Sequence, residues 1–253
     1  MWQRTRRAMV VAAWALGVLG TLAATLPARA AGTLDKIAAT GTISLGHRES
    51  SVPFSYYDAR HQVVGYSHEL MLRVLDSIKA ELKLPALTIR LVPVTAQNRI
   101  PLVQNGTVDL ECGSTTHNQE RARQVAFSVS FFIVGTRLMT HRQSGIHDFS
   151  DLTRRSVVVT AGTTSERLLR LYNEQRHAGQ IEIRTARDHG EAFKQLEERR
   201  VEAFMMDDAL LYGERAKARH PDDWVVLGQP MSSEVYACML RHGDSAFKAV
   251  VDR

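Results

Sequence analysis

Short apolar runs alternate with stretches whose apolar residues recur at helical spacing, from Leu34 to the end of the chain. That alternation predicts an α/β protein with a largely parallel sheet. Residues 42–45, Thr-Ile-Ser-Leu, predict the first strand. Over 66–82 the apolar residues Leu70, Val74, Leu75 and Ile78 keep a helical period, and 87–92 returns to a strand. A helix is predicted at 98–104, closed by Asn105-Gly106, then a buried strand at 108–112, a polar turn opened by Gly113, and a long apolar strand at 131–140.

The alternation then repeats: strand 156–160, helix 164–178, strand 181–185, helix 190–199, strand 203–206. Two α/β units of about 100 residues each, joined by the extended run near Phe131, predict two lobes with a cleft between them. The last stretch, 245–253, carries Phe247, Val250 and Val251 on one helical face. It reads as a helix cut off in progress, so loss of C-terminal residues is expected.

The first thirty residues belong to a different pattern. Arg4, Arg6 and Arg7 precede an uncharged stretch that ends in Ala28-Arg29-Ala30, the layout of a secretory signal removed near Ala30. Removal changes the charge argument. The whole chain has 32 basic and 27 acidic residues, and the leader's four charges are all arginine, so the remainder stands at only +1. The pI near 9.4 is mostly leader. No basic stripe with interleaved aromatics remains, which argues against a nucleic-acid partner.

Cys112 and Cys238 are too few and too far apart in sequence for a zinc site or a redox pair. In an oxidising compartment they form one disulfide; the alternative is two buried thiols acting as small hydrophobes.

Four predicted strand ends are followed at once by an arginine or by hydroxyl residues: "GHRESS" at 46–51, "TAQNR" at 95–99, "GSTT" at 113–116 with Arg121 beyond it, and "TAGTTS" at 160–165. In open α/β sheets the carboxyl ends of the strands line the ligand crevice, and helix starts there attract anions. Singly, Arg48, Arg99 or Arg121 reads as a solvated or structurally paired side chain. Three guanidinium groups beside Ser/Thr turns predict a site for carboxylates, which match the fork of arginine donors.

The stretches "GHRESSVPFSYYD", "QNRIPLVQNGTVDLECGSTTHNQER", "VVVTAGTTSE", "DHG" and "AFMMDDALL" resemble the periplasmic glutamate/aspartate-binding proteins of ABC-type amino-acid importers, solute-binding protein family 3. The resemblance runs from about Leu34 to Arg253. It implies a type II periplasmic binding fold: two α/β lobes, 31–130 with 235–253 and 131–234, crossed by hinge strands near 130–135 and 231–236. It implies a monomer without cofactors that closes over L-glutamate or L-aspartate and presents it to a membrane permease.

Carried over by position, the resemblance makes Arg121 the clamp for the ligand α-carboxylate, helped by Ser114, Thr116 and Thr164. Asp207 then accepts the α-ammonium, and Arg48, Arg99 and His189 meet the side-chain carboxylate. His189 also has a structural reading, as a helix-start residue beside Gly190. One departure is Ala96, where the family pattern has serine; the lost hydroxyl contact is worth about 1 kcal/mol. On this assignment three arginines against Asp207 leave a charge of +2 for a ligand of charge −1.

Enzyme readings are weaker. No Gly-x-Ser-x-Gly, His-Glu-x-x-His or Walker loop is present. A Cys112/His117/Asp109 nucleophile set would place its cysteine inside an apolar strand. Asp207 and Asp208, read as neighbouring strand residues, point to opposite faces and cannot work together on one substrate. A same-fold cyclohexadienyl dehydratase would need a general acid, for which Glu49 beside Arg48 is the candidate. Glu49 is otherwise an orienting partner of Arg48 or a surface charge.

Overall fold

The computed structural model describes residues 32–253; the predicted leader lies outside them. The chain opens with α1 (Thr33–Thr40) and β1 (Thr42–His47), followed by the short strands β2 (Ser50–Ser51), β3 (Ser55–Tyr57) and β4 (Val63–Val64). Next come α2 (Tyr66–Leu82), β5 (Thr88–Pro93), α3 (Arg99–Gln104), β6 (Leu110–Glu111), α4 (Gln119–Ala122) and β7 (Ala126–His141). Then follow β8 (Ser156–Thr160), α5 (Thr164–Arg176), β9 (Glu182–Ala186), α6 (His189–Glu197), β10 (Ala203–Asp207) and α7 (Asp208–Lys217). The chain closes with β11 (Trp224–Leu227), β12 (Ser233–Leu240) and α8 (Ser245–Val251).

The main sheet runs in the order β5-β1-β6-β12-β7-β10-β8-β9, with β11 also on β7. Its two ends are parallel: β1 pairs with β5 and β6, and β8 with β9 and β10. The sixteen-residue β7 serves both ends. Its first part pairs antiparallel with β12 through Ser233↔Gly135, and its last part pairs with β10 from Thr136 to Thr140. Consecutive strands from each half therefore meet only through β7 and β12.

Each half has its own core. Ile43, Leu45, Met71, Ile78, Leu110 and Phe247 pack together in the first. Leu138, Val157, Val159, Leu169 and Met205 pack together in the second. In α2 the buried apolar residues are Met71, Leu75 and Ile78, while Leu70 and Val74 are only partly covered. The buried stripe is thus turned by about one position from the expected one, because Met71 faces the sheet. The helix stops at Lys83, which adopts the left-handed conformation with φ 53°.

The halves also touch. Phe54 packs edge-on against Phe132 and Tyr236 at ring separations of 4.9 and 5.1 Å, within the core formed mainly by Phe193, Phe204 and Leu210. A side chain at Gly213 would meet the carbonyl oxygen of Val52 at 2.2 Å, so α7 approaches the β2–β3 turn only as glycine.

Cys112 and Cys238 form a disulfide, with Cα atoms 4.3 Å apart. They sit opposite one another where the β6–β12 register, Leu240↔Leu110 and Met239↔Glu111, continues by one pair. The bond excludes Cys112 as a free thiol nucleophile. It closes a loop of 126 residues and ties the penultimate segment of the chain to the strand that leads into the site. Changing both cysteines to serine is expected to cost about 2–4 kcal/mol of unfolding free energy, mostly through the denatured chain. Denaturant titration of the oxidised protein and the double variant measures it; coincident midpoints would refute it.

Candidate functional site

Every singled-out polar residue lies at or just beyond the carboxyl end of a strand. Arg48 follows β1, and Arg99 opens α3 after β5. Ser114 and Thr116 follow β6, and Arg121 sits in α4. Thr164 opens α5 after β8, His189 opens α6 after β9, and Asp207 ends β10. Parallel pairing turns these ends to the same edge of each half. All eight residues are buried, none more than 8% exposed.

Arg121 reaches both halves. Its Nη1 donates to the Thr116 carbonyl at 3.0 Å and its Nη2 to the Gly162 carbonyl at 3.4 Å. It lies on the wall of a groove of about 500 Å³ that Ala96, Gln97 and Ile100 line on one side and Gly162 and Thr164 on the other. Gly162 has φ +79°, and a side chain there would strike the Gln97 backbone and Cγ within 2.8–3.0 Å. Glycine is therefore what lets the α5 entry close against the "TAQN" turn. The two sides are further joined by Ser50 Oγ donating to Asp188 at 2.9 Å and by the Arg187–Glu49 ion pair at 2.9 Å.

Arg48 and Arg99 are almost fully buried, and both reach Ser114. Arg99 Nη1 donates to the Ser114 carbonyl at 3.0 Å and to Thr115 Oγ1 at 2.5 Å. The Arg48 guanidinium makes only a long contact, from Nη1 to Ser114 Oγ at 3.5 Å. Among the described residues Arg48 Nη2, Arg99 Nε and His189 Nε2 are buried without any hydrogen bond. Leaving a buried donor unpaired costs about 1–3 kcal/mol, and such groups in native proteins mark strain or function.

Electrostatics agree with the crowding. Burial, then repulsion from Arg99, lowers Arg48 and Arg121 to about 10 each, so both remain charged at neutral pH. Burial and then the charges of Arg48 and Arg99 hold His189 well below the usual histidine range, so its ring is neutral. Its Nδ1 pairs with Thr160 Oγ1 at 2.8 Å. With that hydroxyl donating, Nε2 carries the proton and is a donor.

Asp207 Oδ2 accepts from Tyr236 OH at 2.5 Å and Oδ1 from Thr136 Oγ1 at 3.1 Å. Burial first, and the charge of Glu234 next, push it up to about 6 against those hydrogen bonds. Asp208 is not a strand residue, as expected above, but the first residue of α7, where Oδ1 accepts from Gly135 N and Ala209 N. The two carboxylates are separate because the strand has ended, not because a pleat divides them.

Two further carboxylates, not foreseen from the sequence, change the charge count. Glu111 is completely buried, accepts from Thr115 Oγ1 at 2.8 Å, and favours the charged forms of Arg48 and Arg99. Glu234 Oε2 accepts from both Thr116 Oγ1 and Thr164 Oγ1. Three guanidinium groups thus face three carboxylates, and the expected surplus of +2 is corrected to balance. The only sequence sign of Glu111 is a glutamate inside the apolar run "VDLEC"; Glu234 gives none, lying far along the chain in "SSEVYACML". Glu49 pairs with Arg187 at the surface, not with Arg48, so the residue named as a dehydratase's general acid is not in the site. No His/Cys/Asp/Glu cluster among the described residues could hold a metal ion, and no helix there is long and apolar enough to cross a membrane.

A sheet divided into two parallel-ended halves by shared antiparallel strands, with buried arginines at the facing strand ends, is the type II fold of periplasmic binding proteins. Solved structures bear this out at the level of fold. A cysteine-binding protein from Campylobacter jejuni matches with TM-score 0.77 and 23% identity, covering 88% of this chain and 85% of that one. The model for bacterial extracellular solute-binding proteins, family 3, matches residues 43–253, and the chain belongs to that family. It is 59% identical over 223 residues to the L-glutamate/L-aspartate-binding protein of Pseudomonas aeruginosa, covering 88% of this chain and 74% of that one. To the glutamate/aspartate import solute-binding protein of Escherichia coli it is 55% identical, with the same coverage. These relatives are named as binding proteins, not enzymes.

Proposed function

We propose that this protein captures L-glutamate or L-aspartate between its two lobes in the periplasm and hands it, as a monomer, to the membrane permease of an ABC importer. The names of its relatives support that ligand class. The observation that carries the reading is the meeting of three unpartnered buried donors, Arg48 Nη2, Arg99 Nε and His189 Nε2. No group of the chain accepts from them, although the buried Glu111 Oε1 is itself left without a partner, and a ligand side-chain carboxylate satisfies them without adding a new donor. Since the fixed charges balance, preference for an acidic over an amide side chain comes from this local arrangement and not from excess charge.

In this reading Arg121 clamps the α-carboxylate beside Ser114, Thr116 and Thr164, and Asp207 accepts the α-ammonium. The lobes are 31–130 with 235–253 and 131–234, and β7 and β12 form the hinge. A ligand that touches both lobes favours the closed form by its differential affinity for it. Thermal-shift screening of the common amino acids tests the ligand class. Glutamate or aspartate at a hundred times its dissociation constant adds about 2.7 kcal/mol of stability; an unchanged melting curve with both acids refutes the proposal.

Asp207 makes binding pH-dependent, and the sign follows from its raised value. In the unliganded fold the group keeps its proton up to about pH 6. The associated stability is therefore present below the ordinary aspartate range and is lost as pH rises through 6. An α-ammonium needs the carboxylate form, so binding below pH 6 must expel a proton. Glutamate affinity is expected to fall by up to about tenfold per pH unit below 6, with proton release visible as a buffer-dependent binding enthalpy. Calorimetry at pH 5 and 7 in two buffers reads both, and equal affinities at the two pH values contradict the assignment.

A further inference from the structure

Glu234 is the least expected member of the site. It lies near the start of β12, in the stretch that crosses between the lobes, and its Oε2 is shared by two hydroxyls. Thr116 Oγ1, from the loop after β6, donates at 2.5 Å, and Thr164 Oγ1, from the first residue of α5, donates at 2.8 Å. Its other oxygen accepts from Ser232 Oγ at 3.2 Å. The loop that carries Thr116 is itself stitched to β12. His117 N donates to the Val235 carbonyl at 2.9 Å, Ala237 N donates to the Thr115 carbonyl at 3.1 Å, and Thr116 bridges Tyr236. Thr164 has no such backbone tie to β12 among the described residues; beside the Arg121 bridge from Thr116 to Gly162 and the longer link through Ser165, Asp207 and Tyr236, the carboxylate of Glu234 joins the α5 entry to this frame.

The proton count bears on how the two threonines can serve. A hydroxyl has one proton, and both protons here go to Glu234. While that arrangement holds, neither hydroxyl can donate to a second carboxylate. The charge of Glu234 also falls on Arg99, Arg121 and Asp207, so it sits within the same electrostatic cluster.

We propose that Glu234 is a positioning residue that latches the two lobes together, holding Thr116 and Thr164 at a fixed spacing across Arg121. The latch itself depends only on the geometry above; its effect on affinity rests on the ligand reading already proposed. It makes closure partly a property of the chain, so that a ligand has less reorganisation to drive.

The test uses Glu234→Ala, which removes the acceptor, and Glu234→Gln, whose carboxamide oxygen can still accept from both threonines while the charge is lost. Nitroxide labels at Thr88→Cys on β5 and Glu182→Cys on β9, the two outer strands, report the lobe separation by electron-spin distance measurement without any amino acid. Glu234→Ala should shift and broaden the distribution towards longer distances, and Glu234→Gln should retain the parent distribution. Glutamate and aspartate affinities should fall together by about tenfold in Glu234→Ala, the worth of one or two hydrogen bonds, and stay within about threefold in Glu234→Gln. A parent-like distance distribution in Glu234→Ala overturns the latch, as does a Glu234→Gln protein that opens as far as the alanine variant. If the distances shift as expected while the parent protein binds neither acid, the latch stands and the ligand reading falls.

Discussion

Replacing Arg121 by alanine is expected to remove binding of every amino acid, acidic or not, by roughly a hundredfold to a few thousandfold. Arg121 alone among the three arginines donates to carbonyls of both lobes, Thr116 and Gly162, and it alone lines the open groove. An α-carboxylate, common to all amino acids, is therefore the group it can meet. Truncating one partner of a buried charge pair costs about 3–5 kcal/mol, because the other charge is left desolvated and unpaired. At 1.4 kcal/mol per tenfold that gives the stated range. Arg121→Lys keeps the charge but loses the planar fork and the double reach, so it should recover only part of the loss. Calorimetry with glutamate, aspartate and glutamine, with melting curves to confirm folding, decides the matter. Near-normal glutamate binding by Arg121→Ala would exclude the clamp.

How much of this was legible beforehand depended on sequence distance. The arginines could be found because each belongs to the polar segment that follows a predicted strand, Arg121 the farthest along it, where α/β geometry puts ligands, and nothing tertiary is needed to see that. The same local logic predicted α2 over the residues it occupies, 66–82, and the βαβ order of the second half. It overran at 108–112, where only Leu110 and Glu111 pair, because the run is apolar but its neighbours in the sheet reach it at just two positions. Glu111 and Glu234 were hidden for a different reason. Glu111 bonds Thr115 only four residues on, but that pair gives no sign of the arginines it neutralises, while Glu234 meets Thr116 and Thr164 across 118 and 70 residues. A carboxylate that neutralises a guanidinium from across the fold leaves no spacing to read. Hence the arginines read as a surplus until the strands brought their counter-charges alongside.

Arg48, not Arg99, is the residue whose loss should separate acidic ligands from neutral ones. Both are buried, but Arg99 fixes Ser114 and Thr115 through its Nη1, so truncating it would also disorganise the loop beside Arg121 and weaken every ligand. The Arg48 guanidinium has one contact of 3.5 Å and an unpartnered Nη2, and it endures repulsion from Arg99. Little of the fold depends on it. Arg48→Met, which keeps an unbranched apolar stem, should lower glutamate and aspartate affinity by about a hundredfold or more, the cost of leaving a buried carboxylate one partner short. Glutamine affinity should change by no more than a few-fold. Relief of the unpaired donor and of the Arg48–Arg99 repulsion should leave the melting temperature unchanged or raise it, the usual exchange of stability for a functional charge. Equal losses for glutamate and glutamine would place Arg48 away from the side-chain carboxylate, and a large drop in melting temperature would make it a structural residue held in place by Glu111.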